Sequence, residues 1–292
     1  MNHNRMVELL SSLVPEEGVI QNVIEGVDLF RITSSTPRTP VTYSPAIIIL
    51  AQGQKKLFIG DDIVIYDPLN YLVLSVPLPM ECETTASAEK PLMGVKIKVD
   101  TKTIGEILLA IDNDNHNMTS LPKGIHSVPL DEQIINATIR LLESLHSLRD
   151  RRFLGPIIVK EIIYRVLCGE KGGALMALAY RNKHFFQIAR ILDKIHESYI
   201  EKLDINSLAH EAGMSISAFH DNFKKVTNMT PLQYIKNVRL HKARILMMEE
   251  GISAYSAAYH VGYESPSQFN REYKRLFGIT PGKDSGKKLI NL

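Results

Sequence analysis

Residues 209–231, AHEAGMSISAFHDNFKKVTNMTP, recur as residues 258–281, AYHVGYESPSQFNREYKRLFGITP. Ala209-x-x-Ala212-Gly213 returns as Ala258-x-x-Val261-Gly262 at an offset of 49. Phe219-x-x-x-Phe223-Lys224 returns as Phe269-x-x-x-Tyr273-Lys274, and Thr230-Pro231 as Thr280-Pro281, both at an offset of 50. The second copy therefore carries one extra residue in its turn. Self-similarity at this spacing marks a duplicated structural unit. Each copy has the outline of a helix-turn-helix: a short helix (205–212, then 253–260), a glycine able to take a left-handed conformation, and a second helix. Ser215 and Ser265 are the expected caps, with Pro266 at the first helical position and Gln268 placed to close a capping box.

The second helices divide into two faces. Phe219, Phe223 and Val226 share one face of the first; Phe269, Tyr273 and Phe277 share one face of the second. That leaves Ser217, His220, Asp221 and Lys224 outward in copy one, and Ser267, Asn270, Arg271 and Lys274 outward in copy two. Short polar groups near a helix N-terminus, with an arginine able to fork onto guanine, suit a major groove. Between the copies Thr230 caps a helix that Pro231 begins and that runs to about Met248. Eighteen residues span about 27 Å, which suits two reading helices set about 34 Å, one DNA turn, apart. Lys236, Arg239, Lys242 and Arg244 lie along it or near its ends, where phosphates are expected.

Charge follows the same division. Residues 181–292 hold 17 Lys and Arg against 11 Asp and Glu, a net +6, whereas residues 1–180 hold 17 against 21, a net −4. A basic back half joined to an acidic front half is the pattern of a chain whose back half meets a polyanion. The 292 residues suit two domains, and 45% hydrophobic with 23% charged residues excludes collagen, a disordered tail and a disulfide scaffold. No apolar run is long enough for a membrane span, and residues 1–17 lack a signal peptide's apolar stretch. Two distant cysteines, Cys82 and Cys168, are expected reduced, in a cytoplasm.

The front half reads as β. Short apolar runs at 46–50, 57–59, 63–66, 71–76 and 93–99 are separated by Gln52-Gly53, Gly60-Asp61-Asp62, Asp67-Pro68-Leu69-Asn70 and Pro77-Leu78-Pro79. An antiparallel barrel or sandwich over about 20–100 follows. Helices are expected over about 101–170: 102–112, then 131–148 and 151–167, with a loop at 113–129. The fold class is thus α+β in two domains: 1–180, and an all-α 181–292 with helix-turn-helix units at 204–227 and 253–277 and a linker helix at 230–248.

These residues resemble the AraC/XylS family of bacterial transcription regulators. The likeness rests on Ile205-x-x-Leu208-Ala209-x-x-Ala212-Gly213-Met214-Ser215, Phe219-x-x-x-Phe223-Lys224-Lys225, Arg239-Leu240-x-x-Ala243-x-x-Leu246 and the run from Val261-Gly262-Tyr263 to Gly278-Ile279-Thr280-Pro281. The front half resembles the family's cupin-like N-terminal domain through 45–55 and 71–79. The resemblance implies base contacts at Ser217, His220 and Asp221 in copy one and at Pro266, Ser267, Asn270 and Arg271 in copy two. Phosphate contacts are expected at Lys224, Lys225, Lys236, Arg239, Lys274 and Arg275. Asp221 departs from the pattern: it can accept from a cytosine amino group or pair with Lys224 or Lys225, and the pairing is the reading the sequence favours. A second departure is Gly282-Lys283-Asp284-Ser285 after the final proline.

The expected partners are double-stranded promoter DNA, a second copy of the chain joined through 131–148 or 151–167, RNA polymerase, and a small-molecule effector in the barrel. Ile47, Ile49, Leu72, Leu74, Val76 and Ile97 are candidates for an effector pocket, and a barrel filled by its own side chains is the alternative. Arg31, Arg38 and Lys55 are possible anchors for an acidic ligand, although basic residues near strands usually face solvent. His3, His116, His126 and His146 lack the spacing of a metal-binding cupin, and no nucleophile elbow, phosphate loop or Cys-x-x-Cys is present. No catalytic residue, metal or cofactor is therefore expected. The leading reading is a sequence-specific, DNA-binding transcription regulator, an activator rather than a repressor. The alternatives are a regulator controlled by abundance or a protein partner, and a ligand-binding or enzymatic cupin with an interaction domain.

Overall fold

The computed structural model describes residues 2–60, 62–111, 121–179 and 183–284. Helix α1 (Asn2–Leu13) leads into nine strands: β1 (Gly18–Ile24), β2 (Val27–Ile32), β3 (Thr36–Tyr43), β4 (Ala46–Gln52), β5 (Gln54–Ile59), β6 (Asp62–Tyr66), β7 (Asn70–Leu74), β8 (Leu78–Thr85) and β9 (Leu92–Lys98). Helix α2 (Thr101–Ala110), strand β10 (Ile125–Pro129) and helices α3 (Glu132–Ser144), α4 (Leu148–Cys168) and α5 (Gly173–Ala179) follow. The remaining elements are helical: α6 (Lys183–Glu197), α7 (Ile205–Glu211), α8 (Ile216–Thr227), α9 (Pro231–Glu249), α10 (Ala254–His260), α11 (Pro266–Phe277) and α12 (Pro281–Asp284).

The strands pair into two antiparallel sheets rather than one closed barrel. One has the order β1-β2-β9-β4-β7-β10, the other β3-β8-β5-β6. Strand β4 is buried from Ala46 to Ala51 without alternation because α1 covers its sheet's outer face. Strand β5 alternates, sending Lys55, Leu57 and Ile59 inward. Several elements differ from the sequence expectation. The Pro77-Leu78-Pro79 breaker leads straight into β8, and the expected loop at 113–129 contains β10, which pairs with β7. His126 therefore sits in a strand, while His116 lies outside the described residues. Strand β3 carries Pro37 and Pro40, which it tolerates as an edge strand.

The two halves are in contact. The Val226 carbonyl at the end of α8 accepts from the Gly124 N–H at 2.9 Å. Asn228 caps α8 in a left-handed conformation, φ 58°, and its Nδ2 donates to the Ile59 carbonyl at 2.8 Å. The Tyr234 hydroxyl donates to the Pro77 carbonyl at 2.6 Å. Phe219, Phe223 and Val226 of the first unit belong to one apolar core with the sheets. The second unit has a core of its own, formed by Leu240, Ala243, Met247, Ala257, Ala258, Val261, Tyr263, Phe269 and Tyr273.

Candidate nucleic-acid interface

The local chemistry of both helix-turn-helix units is the repeat made physical. Gly213 and Gly262 adopt φ of 63° and 82°, where a side chain is disfavoured. Ser215 and Ser265 accept from the backbone N–H of Ala218 and Gln268. Gln268 does not close the expected capping box; its amide donates forward to Glu272 at 3.2 Å. The complete box lies at α9, between Thr230 and Gln233.

The outward faces of α8 and α11 carry the residues nominated for DNA. Ser217, Asp221, Lys224 and Lys225 are exposed on α8, with His220 half-buried and its ring edge-on to Phe219. Ser267, Asn270, Arg271, Lys274 and Arg275 are exposed on α11, and Pro266 is half-buried. The favoured pairing of Asp221 is corrected: among the described residues neither Lys224 nor Lys225 forms an ion pair with it.

The linker helix adds a feature the sequence did not show. Each of its four expected phosphate cations is engaged by the protein itself. Lys236 pairs with Glu272 at 2.7 Å. Burial pushes the Glu272 carboxyl up, but hydrogen bonds from Lys236, Tyr263 and Gln268 outweigh it and hold the group below its ordinary pKa. Arg239 donates to three carbonyls, Tyr199 at 2.7 Å, Glu201 at 2.7 Å and Gly262 at 3.2 Å, tying the segment before α7 to the turn of the second unit. Lys242 lies over the Tyr199 ring at 5.6 Å. Arg244 is buried against Asp284, Nε to Oδ2 at 2.7 Å, and Tyr273 donates to the same carboxylate at 2.8 Å. The departure at Asp284 was the one sequence signal for this network. A buried arginine needs a partner, and Asp284 supplies it.

A cavity of about 530 Å³ lies between β3, β5 and β8 on one side and α9 with residues 277–284 on the other. Tyr43, Lys55, Cys82, Arg244, Phe277 and Asp284 are among its walls. Lys55 is only 3% exposed, and its Nζ donates to the Tyr43 hydroxyl at 3.0 Å. Among the described residues no carboxylate pairs with it, and burial lowers its pKa from the ordinary lysine value to about 8. The Arg244 Nη1 is also buried without a hydrogen-bond partner among the described residues. The aliphatic residues nominated for an effector pocket lie elsewhere. Ile47, Ile49, Leu72, Leu74, Val76 and Ile97 are packed in the core of the six-stranded sheet's side, and none lines this cavity. Lys55, expected at the surface, is the inward one; its spacing with Leu57 and Ile59 was the signal for that.

Residues 23–174 match the family model described as the AraC-type transcriptional regulator N-terminus. The chain belongs to the AraC family of transcription regulators. Residues 208–285 of this AraC-type chain match a helix-turn-helix domain model, so the regulator is a DNA-binding one. It is 26% identical over 194 residues to the virulence regulon transcriptional activator VirF of Yersinia enterocolitica, covering 66% of this chain and 69% of that protein. It is 24% identical over 132 residues to the transcriptional regulator ExsA of Pseudomonas aeruginosa, covering 44% and 46%. Among solved structures, ToxT from Vibrio cholerae shares the fold with a TM-score of 0.55 at 14% identity, over 92% of this chain and 98% of that one. A structure of wild-type ToxT with unsaturated fatty acid bound aligns with a TM-score of 0.53 at 11% identity, over 92% and 95%. Among the described residues of the AraC-type chain, no helix is long and apolar enough to cross a membrane.

Proposed function

We propose that this AraC-type regulator activates transcription from promoter DNA as a homodimer, and that a small acidic molecule held between its halves switches it. Residues 1–180 serve as the effector and dimerisation unit, and residues 181–292 as the DNA-binding unit, acting in the cytoplasm with RNA polymerase as partner. The observation that carries the effector is Lys55. A lysine this buried, with no carboxylate paired to it among the described residues, is held at a cost that an anionic ligand offsets. The apolar walls contributed by Ile32, Val41 and Phe277 suit a hydrocarbon body, and the Arg244–Asp284 pair closes the cavity's far side. The ligand class bound in the ToxT structure, an unsaturated fatty acid, has this chemistry.

Support for the dimer comes from α4. Phe153 is 71% exposed, Ile157 55% and Leu148 64%, an apolar surface on one helix of the half that the sequence nominated for self-association. The effector is tested by thermal shift with a series of straight-chain carboxylic acids of 6 to 18 carbons, their methyl esters as controls. Acids are expected to raise the melting temperature, esters to leave it, and Lys55→Met to abolish the response. An unchanged melting temperature across the series eliminates this ligand class and leaves a regulator controlled by abundance or by a protein partner. Phe153→Glu with Ile157→Glu is expected to yield a monomer by sedimentation, and an unaltered dimer rules out α4 as the interface.

A further inference from the structure

A buried ammonium without a counterion sheds its cost in one of two ways. It gains an anion, or it ceases to be a cation. The surroundings of Lys55 admit the second as well as the first. Its side chain lies on the inward face of β5 and its Nζ donates to the Tyr43 hydroxyl at 3.0 Å, with both residues almost wholly buried. That hydroxyl stands 3.9 Å from the Cys82 Sγ, and burial keeps the phenol protonated. The other groups that bear on the amine are Cys82 itself from β8 and Lys96 from β9, a like charge turned towards Asp28 at 3.9 Å. Asp284 lines the same cavity, but Arg244 and Tyr273 occupy its carboxylate. Lys55 thus feels a neutral hydroxyl, a thiol and a second cation, and among the described residues no carboxylate holds its proton in place.

A neutral lysine amine attacks carbonyl carbon, and an apolar pocket is one of the settings that produce it. The cavity beside Lys55 holds about 530 Å³, the size of a small-molecule site, and Ile32, Val41 and Phe277 give it apolar walls. We propose that Lys55 is a covalent capture site for small aliphatic aldehydes, which it binds as an imine in this cavity with the Tyr43 hydroxyl as proton relay. The Nζ lone pair forms the bond to the carbonyl carbon while the carbonyl π pair moves onto oxygen. Tyr43 accepts one proton from the nitrogen and passes its own to that oxygen. The carbinolamine then loses its hydroxyl as water, the second amine proton leaving with it, and a neutral imine remains. One amine and one aldehyde give one imine and one water, with nothing oxidised or reduced. The imine replaces a buried charge by a neutral group, a gain that no exposed lysine offers, and its hydrocarbon tail leaves water for apolar walls. This capture goes beyond the acid effector and does not rest on it. An acid selects the ammonium and an aldehyde the amine, so the two ligand classes draw on different protonation states of one residue.

The test exposes the full-length chain to limiting hexanal or decanal at pH 7.5 with cyanoborohydride, which reduces an imine to a stable secondary amine. Peptide mass spectrometry then locates the alkylated lysines over time. With its pKa lowered to about 8, about a quarter of Lys55 is uncharged at that pH, against about one in a thousand for an exposed lysine. Lys55 is therefore expected to be alkylated on the order of 100-fold faster than the exposed lysines. Alkylation of Lys55 no faster than theirs overturns the assignment, and the wild-type peptide map decides this without any variant. Lys55→Arg keeps a donor for Tyr43 and is expected to lose the fast phase, whereas a fast phase that survives assigns capture to another residue. Tyr43→Phe is expected to slow alkylation of Lys55 while leaving the exposed lysines unchanged, and an unaltered rate removes the relay. Straight-chain acids that raise the melting temperature while Lys55 stays unalkylated leave the effector reading standing and remove this one. Fast alkylation with no response to acids does the reverse.

Discussion

Replacing Arg239 with alanine separates a structural cation from a DNA-binding one. The guanidinium donates to the carbonyls of Tyr199, Glu201 and Gly262 from the middle of α9. Hydrogen bonds from a charged donor contribute about 1.5–3 kcal/mol each when buried. The side chain is only part-buried and the bond to Gly262 is long, at 3.2 Å, so about half of the summed value is retained. The expected loss is about 3 kcal/mol. With a urea dependence of about 2 kcal/mol per molar, the unfolding midpoint drops by about 1.5 M. Far-UV circular dichroism reads this directly, and Arg239→Lys, which cannot fork to three carbonyls, recovers only part of it. Salt titration of DNA affinity supplies the contrast. A structural Arg239 leaves the slope of log affinity against log salt unchanged, whereas a lost phosphate contact lowers it by about 0.9. A stable variant whose slope falls by that amount would refute the structural assignment.

Three further perturbations address other parts of the fold. Lys55 titrates lower in the folded chain, at about 8, than in the unfolded one, so between pH 8 and about 10 the unfolded chain binds more protons and stability rises with pH. The gain is on the order of 3 kcal/mol at most; urea midpoints at pH 7.5, 8.5 and 9.5 should climb for the wild type and stay flat for Lys55→Met, and parallel curves for the two proteins contradict the assignment. Gly262→Ala places a Cβ 2.4 Å from the Ile200 carbonyl at φ 82°, whereas Gly213→Ala at φ 63° meets only the Gln187 side chain at 3.3 Å; losses of more than about 2 kcal/mol and about 1 kcal/mol are expected in thermal melts, and equal losses discount the Ile200 contact. Asn228→Gly keeps the left-handed cap and removes the bond to Ile59, and Asn228→Ala removes both; stability should fall in the order Asn, Gly, Ala by about 1 kcal/mol per step, and a variant order with Ala above Gly refutes the cap.

The helical half was legible because its signals are local. Thr230-Pro231, Ser265-Pro266 and the left-handed glycines each state a conformation within a few residues, and the aromatics at i and i+4 state a face. What α9 does with its cations was not legible, because Tyr199, Glu272 and Asp284 lie up to 40 residues away in sequence and meet it only after folding. The strands were read unevenly. Those with apolar runs, such as β4 and β7, were found. Strand β3, with two prolines and an arginine, was missed because its edge position permits residues that a central strand forbids. Strand β10 was missed because its five residues alternate too briefly between Gly124 and Pro129. Lys55 was misjudged by type: its period-two relation to Leu57 and Ile59 outranks the habit of lysine.

The division of the apolar interior has a consequence in time. The first reading unit shares its core with the sheets, and the second stands on a small core of its own. Units with fewer buried contacts open locally at lower cost than those fused to the main body. Opening is then graded along the chain: hydrogen exchange reaches the amides of α10 and α11 before those of α8. The two halves of one reading surface thus differ in local stability, the inner one fastened to the sheets behind it and the outer one resting on itself.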